Sequence, residues 1–314
     1  MDRLQLDKNA KLTGRVYFKD EVMWLGLSGS GASFTFDGTK LVLKLKGDNI
    51  AVGDNPIDYA RIAVYVDGKR VVDEMIDCAE KEVTVIDRTE SAKSVVEIIK
   101  LSESPMSAVG IEAFAEGSAE ALPEKPLKIE FIGDSITCGY GVDDEDENHQ
   151  FTTATEDVTK AYAYKTAKAL DAEYSMFSAS GYGIVSGYTE GDEPISEQTI
   201  PQFYCSYGFS RGNFAGTAPQ DIPWDFSKYI PQIIVINLGT NDDSYCRDHK
   251  DRQAVFSKLY ADFLAVVREK NPQAYILCTV GIMGERIFPA VEEGIKIYLK
   301  SHADSKISSM MFHE

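Results

Sequence analysis

Three polar stretches each follow directly on an apolar run: Gly133-Asp134-Ser135 after "IEFI", Ser178-Ala179-Ser180-Gly181-Tyr182-Gly183 after "YSMF", and Gly239-Thr240-Asn241-Asp242 after "IIVINL". A hydroxyl, a flexible glycine and a side-chain amide in those places suit acyl transfer. Ser135 would attack an ester carbonyl, and the oxygen that turns negative needs donors already aimed at it. The candidate donors are the backbone N–H groups of Ser135 and Gly181 and the side-chain amide of Asn241, with Gly181 allowing close backbone approach. Gly, Asp and Ser are also ordinary turn formers, so each stretch alone reads equally well as a turn. One active site explains the three together. Asp134 and Asp242 read as structural neighbours of these groups. Cys138, three residues after Ser135, is a competing nucleophile set against the plainer reading of a free cysteine as a small buried hydrophobe.

Such residues need a frame that brings them to one edge. From residue 128 onward the pattern alternates strand and helix, with strands at "KIEFI", "AEYSMFS", "QIIVINL", "AYILCTV" and "KISSMMF" and helices near 158–170, 251–270 and 287–300. That alternation predicts a three-layer α/β/α domain around a parallel sheet, whose ligands bind beyond the carboxyl ends of the strands. All three polar stretches fall at such ends. In the second helix Val255, Leu259, Phe263 and Val266 predict the buried stripe.

The front of the chain reads differently. "SFTFDG", "LVLKLKG", "RIAVYVDGKRVVDEMI", "KEVTVID" and "SVVEIIKLSE" are short β-type runs, and Asp67-Gly68 between two of them is a hairpin signal. With no helical pattern between them, they predict an all-β jelly-roll sandwich over 1–118. The small, charged, proline-containing stretch around 119–127 predicts a linker, and 128–314 the α/β/α domain. A length of 314 residues fits two domains.

Lys and Arg number 32 against 50 Asp and Glu, a formal charge of −18, which disfavours nucleic acid and anionic membranes and favours a neutral ligand. No apolar run approaches the roughly 18 residues of a membrane span. The opening "MDRLQLDKNAKLTGR" lacks the apolar core of a secretory signal, so a cytoplasmic location is expected. Five cysteines without a C-x-x-C pair, Cys78, Cys138, Cys205, Cys246 and Cys278, fit reduced thiols. The acidic run Asp143, Asp144, Glu145, Asp146 and Glu147 reads as a solvated loop before it reads as a cation site. Four scattered histidines and unpaired cysteines form no ligand cluster, so no metal or other cofactor is expected.

"GDSIT", "SASGYG" and "GTND", in that order and each after a strand, resemble blocks I, II and III of the SGNH (GDSL-type) hydrolases. The β-rich front and the wording "IEFIGDSITCGYG" and "WDFSKYIPQIIVINLGTND" resemble carbohydrate esterase family 2, which pairs a jelly roll with an SGNH domain. The resemblance runs from about residue 11 to the end. It implies metal-free deacetylation of acetylated xylan or related oligosaccharides, with Ser135 as nucleophile and Ser135, Gly181 and Asn241 as the oxyanion hole.

The resemblance also implies a base from a late D-x-x-H or D-x-H-like motif after the last strand. The sequence ends at Glu314, immediately after that strand, without one, so a C-terminal end carrying the base is expected to be missing. Of the histidines, His302 precedes the fifth strand and should lie at the wrong edge. His149 follows the acidic run in a loop, His249 opens a helix, and His313 alone falls at the correct edge. Tyr140, Tyr182 and Trp224 are candidate sugar platforms as well as packing residues, and Trp24 is the only other tryptophan. The alternatives are a general SGNH esterase on small acyl esters and a non-catalytic carbohydrate-binding protein.

Overall fold

The structure, a computed structural model, describes residues 1–146 and 148–312. Among these, nine strands come first: β1 (Asp2–Leu4), β2 (Lys11–Thr13), β3 (Val16–Lys19), β4 (Val22–Leu25), β5 (Gly31–Gly47), β6 (Ala60–Val66), β7 (Lys69–Ile76), β8 (Glu80–Lys100) and β9 (Val109–Ala121), with α1 (Leu6–Asn9) between the first two. They form one antiparallel sheet in the order β3-β4-β9-β5-β8-β6-β7, with β1 beside β9 and β2 beside β5.

"SFTFDG" and "LVLKLKG" are therefore two halves of one strand, β5. Ala32, Phe34 and Phe36 face the core before the irregularity at Gly38/Lys40, and Leu41, Leu43 and Leu45 face it afterwards. Even positions give way to odd ones. One extra residue at a bulge resets the two-residue period, so a bent strand keeps one face inward. The Asp67-Gly68 turn has positive φ at both residues, 51° and 78°, as a type I′ hairpin requires. Strand β9 continues to Ala121 on β5, so the stretch without regular structure between the domains is 122–127 and shorter than composition suggested.

The second sheet is parallel, in the order β11-β10-β12-β13-β14, from β10 (Lys128–Gly133), β11 (Glu173–Ser178), β12 (Ile233–Asn237), β13 (Tyr275–Gly281) and β14 (Ile307–Phe312). Between them lie α2 (Ser135–Cys138), α3 (Tyr162–Ala169), α4 (Thr240–Cys246), α5 (Lys250–Lys270) and α6 (Phe288–Leu299). On one face Ile132, Ile234 and Ile236 pack with α5 and α6. On the other, Ile129, Phe131 and Val235 meet Ala163 and Ala167 of α3, together with Ala63 and Ile99 of the N-terminal sheet and Leu101 just after β8. The N-terminal sheet thus helps to cover the face that α3 is too short to cover alone.

The buried stripe of α5 differs from expectation. Val255 and Leu259 are exposed, whereas Phe256, Tyr260, Leu264 and Val267 are buried with Phe263. Both stripes fit a 3.6-residue period, about 100° apart around the axis. The one carrying more aromatic surface turns inward, since burial free energy scales with apolar area.

Arg15, just before β3, is fully buried across the junction of the two sheets, where its guanidinium donates to the carbonyls of Tyr204 (2.7 Å) and Ser206 and to Glu130 (3.3 Å). All five cysteines are free. Among the described residues, no helix is long and apolar enough to cross a membrane.

Candidate active site

The three polar stretches meet at the carboxyl edge of the parallel sheet. Strand β10 ends at Gly133, where a Cβ would lie 2.0 Å from Thr137 Oγ1, so glycine lets α2 fold back on the strand end. Asp134 caps that turn: its Oδ1 accepts the Ile136 N–H at 3.0 Å, and its carbonyl accepts those of Thr137 and Cys138. Ser135 follows, half-buried. After β11, the Tyr182 N–H returns to the Ala179 carbonyl at 3.3 Å with Gly181 at φ +80°, a type II turn. Among the described residues, nothing accepts the N–H of Ser135 or of Gly181.

The stretch after β12 ties the other two together. Asn241 Nδ2 donates to the Tyr182 carbonyl at 2.8 Å and lies 3.5 Å from Asp134 Oδ2. Asp242, fully buried, accepts the N–H groups of Ile184 (2.9 Å), Val185 (2.6 Å) and Ser186 (3.1 Å), which fixes the segment beyond Gly181. The sequence reading of both aspartates as structural neighbours agrees with these bonds.

Burial pushes the Asp134 carboxyl up to about 7, and the nearby Asp242 charge adds to the push. Burial also raises Asp242, to about 6, against three backbone donors that favour its charge. A carboxyl raised on folding stabilises the protein below its unfolded pKa, and that contribution disappears as pH rises through the folded value. Wild-type stability should therefore fall between about pH 4 and 7 as Asp134 ionises, with Asp242 adding to the lower part of that window. Asp134→Asn keeps a good capping residue and removes the titration. Thermal midpoints at pH 5 and pH 8 should show the variant gaining on wild type at the higher pH, and a constant gap contradicts this.

Of the other candidates, all but Tyr182 fall away from the chemistry. Cys138 is fully buried against Ser178 Oγ (3.2 Å), and burial beside Glu103 raises its thiol well above the ordinary range, which suits the buried-hydrophobe reading. Trp24 is in the core beside Phe214. Trp224 is half-buried with its ring over the Arg15 guanidinium. Tyr140 is exposed and stacked on Phe151 at 4.2 Å. Tyr182 packs on Phe209 at 4.8 Å and forms part of a cleft of about 410 Å³ that also includes Ser180, Met106, Phe203 and Arg211.

The described histidines all lie elsewhere. His149 pairs with Asp144 at 2.9 Å, exposed His249 precedes α5, and exposed His302 stacks on Tyr298 before β14, at the amino edge. None of them hydrogen-bonds to Ser135. Glu147 and His313 lie outside the described residues. The acidic run is pinned more than expected: Asp143 pairs with Arg61 (2.8 Å) and Lys160, and Asp146 accepts from Asn148.

Sequence reasoning missed Glu103. It is fully buried, and its carboxylate accepts the Ser180 N–H at 2.6 Å. The Glu103 carboxylate lies near that of Glu156 and the Cys138 thiol, with one potential ligand atom of each within 4.8 Å of the others, and the buried Lys100 ammonium donates to the Glu103 carbonyl at 2.9 Å. A lone acidic residue in the polar loop "SESPMS" carries no signal of such a place.

The model of the GDSL-like lipase/acylhydrolase family matches residues 131–298, and that of the carbohydrate esterase 2 N-terminal domain matches 12–126. A cellulase/esterase of Acetivibrio thermocellus is 32% identical over 259 residues, 82% of this chain but 29% of that protein. The chain thus spans less than a third of that relative. An acetylxylan esterase / glucomannan deacetylase of Cellvibrio japonicus is 29% identical over 282 residues, 88% of this chain and 72% of the relative. An acetyl xylan esterase from Butyrivibrio proteoclasticus has the same fold, with a TM-score of 0.88 at 21% identity over 99% of this chain and 90% of that one. A family two carbohydrate esterase from Clostridium thermocellum, solved with cellohexaose, gives 0.79 at 27% identity over 96% and 88%.

Proposed function

Because the chain belongs to the GDSL-like lipase/acylhydrolase family and carries the carbohydrate esterase 2 N-terminal domain, we propose that it is a serine esterase that removes acetyl groups from acetylated xylan or xylo-oligosaccharides. The observation that carries this reading is the pair of untaken backbone N–H groups, on Ser135 and Gly181, at the ends of neighbouring strands, with Asn241 tied to both stretches. Ser135 Oγ adds to the acetyl carbonyl carbon and gives up its proton to a base. The oxyanion forms against the two N–H groups and the Asn241 amide. The sugar hydroxyl leaves with a proton, and water releases acetate from the acetyl-Ser135 ester. The names of the acetylxylan esterase and cellulase/esterase relatives support the substrate class. The cleft beside Ser180 and Tyr182 offers room for the sugar, and we read the N-terminal sheet as a jelly-roll sandwich forming one of its walls through Met106.

One observation favours a second reading, a carbohydrate-binding protein without turnover: no described histidine bonds to Ser135. A fluorophosphonate and acetylated xylo-oligosaccharides separate the two. The esterase labels at Ser135 and releases acetate, and among aryl esters it prefers acetyl to longer acyl chains by at least about tenfold, the discrimination expected from a few methylenes in a closed pocket. Sugar affinity with neither label nor acetate would leave the binding protein standing. Equal rates on acetyl and octanoyl esters would point to a general esterase.

A further inference from the structure

We propose that Glu103, supplied by the N-terminal domain, is a positioning residue for the oxyanion hole: its carboxylate holds the Ser180 N–H and thereby aims the N–H of Gly181. The inference rests on the esterase reading above for its consequence in catalysis, but not for its geometry.

Gly181 has little else to orient it. No atom lies within 4 Å of where its Cβ would be, so no side-chain packing fixes that peptide. Its direction depends on the turn around it: the Tyr182 N–H on the Ala179 carbonyl, the Tyr188 N–H on the Gly181 carbonyl at 2.8 Å, and the Ser180 N–H on Glu103 at 2.6 Å. The last is the only bond that comes from the other domain, and it is short and charge-assisted. The peptide linking Ser180 and Gly181 carries the proposed oxyanion donor. A small rotation there would swing that donor away from the position of the developing charge.

Glu103 is itself held firmly. Its N–H donates to Glu156 Oε2 at 2.9 Å, and Lys100 Nζ reaches the carbonyls of Ser102 (2.7 Å) and Glu103 (2.9 Å). Lys100, Glu103 and Glu156 are all fully buried, and the nearby carboxylates favour the charge on Lys100 against its burial. Burial pushes both carboxyls upward, and the Glu103 charge pushes Glu156 further, whereas the Ser180 donor favours the charge on Glu103. The Ser180 bond falls on Glu103 Oε2, while Glu103 Oε1 is buried among the described residues without a hydrogen-bond partner.

The test uses the whole chain with three variants. Glu103→Ala removes the acceptor, Glu103→Gln keeps a neutral one, and Ser180→Pro removes the donor at the second residue of a type II turn, where proline is accepted. Amide hydrogen exchange over 179–182 should speed up at least about tenfold in Glu103→Ala and stay near wild type in Glu103→Gln, while β5 is unchanged. With an aryl acetate, Glu103→Ala and Ser180→Pro should each lower kcat by about 10- to 100-fold, part of the roughly 10²- to 10³-fold that a lost hole donor costs, with KM within about twofold. The double variant should be no worse than either single one, because both cut the same bond. Unchanged exchange over 179–182 in Glu103→Ala, or additive losses in the double variant, overturns the proposal. If Glu103→Ala does not fold, Ser180→Pro carries the kinetic arm and Glu103→Asp, whose shorter side chain draws the carboxylate back from the Ser180 N–H, carries the exchange arm, with unchanged exchange over 179–182 overturning the proposal. Wild type that neither labels nor turns over sinks the esterase reading, and the exchange arm still decides the positioning role.

Discussion

Arg15→Ala is expected to destabilise the protein by about 3–5 kcal/mol, the cost of breaking a buried ion pair from one side. The Arg15 guanidinium is fully buried, bonded to Glu130, Tyr204 and Ser206, and lies over the rings of Phe177 (4.3 Å), Tyr204 (5.1 Å) and Trp224 (5.2 Å). Among the described residues, removing it leaves the buried Glu130 carboxylate with only the Tyr204 hydroxyl (2.8 Å), and two carbonyls lose this donor. It also takes away the link by which the segment before β3 grips the loop at 204–206. Against a total stability of about 5–15 kcal/mol, that loss is large and should lower the thermal midpoint by roughly 5–15 °C. Arg15→Ala with Glu130→Gln should recover part of it, since no lone charge then stays buried. The exposed pair Lys128–Glu124 is the control: Glu124→Ala should cost under about 1 kcal/mol. Equal midpoints for Arg15→Ala and Glu124→Ala would show that the junction does not depend on Arg15.

What the sequence revealed and what it hid have physical causes. That Ser135, Gly181 and Asn241 share one edge was legible because each follows an apolar run, and the parallel topology carries three such ends together. The inner strands of that sheet were legible for a related reason: largely buried on both faces, β10, β12 and β13 read as near-continuous apolar runs, whereas β11 and β14 lie at its edges. The stripe of α5 was not, because Val255 and Phe256 sit on equally plausible faces until α6 selects one. The bend in β5 was hidden at the bulge near Thr39, where a short break in alternation looks like the gap between two strands. Arg15 and Glu103 were hidden most completely. A charged residue reads as surface, and the partners that bury these two lie 115 and 77 positions away in the other domain.

Ser135→Ala and Asn241→Ala should differ in kind as well as in size. Without the Ser135 hydroxyl no acyl-enzyme forms, so phosphonate labelling disappears, and turnover falls by up to about 10⁶-fold if a base is engaged, as in other serine hydrolases. A residual rate above water should remain, because preorganised donors still favour the charge on the carbonyl oxygen during direct attack by water. Asn241→Ala keeps the nucleophile and removes one donor, so labelling persists at a lower rate and kcat falls by about 10²- to 10³-fold. KM should move little in both, because neither group needs to bind the ground-state sugar. Asn241 also donates to the Tyr182 carbonyl, so part of its loss could reflect a looser turn. Asn241→Asp adds a charge to both losses: ionised, it cannot donate to the Tyr182 carbonyl either, and it sets a second carboxylate beside Asp134, 3.5 Å from the present amide. Negative charge there opposes the oxyanion directly, so Asn241→Asp should be slower than Asn241→Ala and recover as pH falls. If Asn241→Ala turns over as fast as wild type, the hole consists of backbone donors alone, and Asn241 serves only to hold the turn.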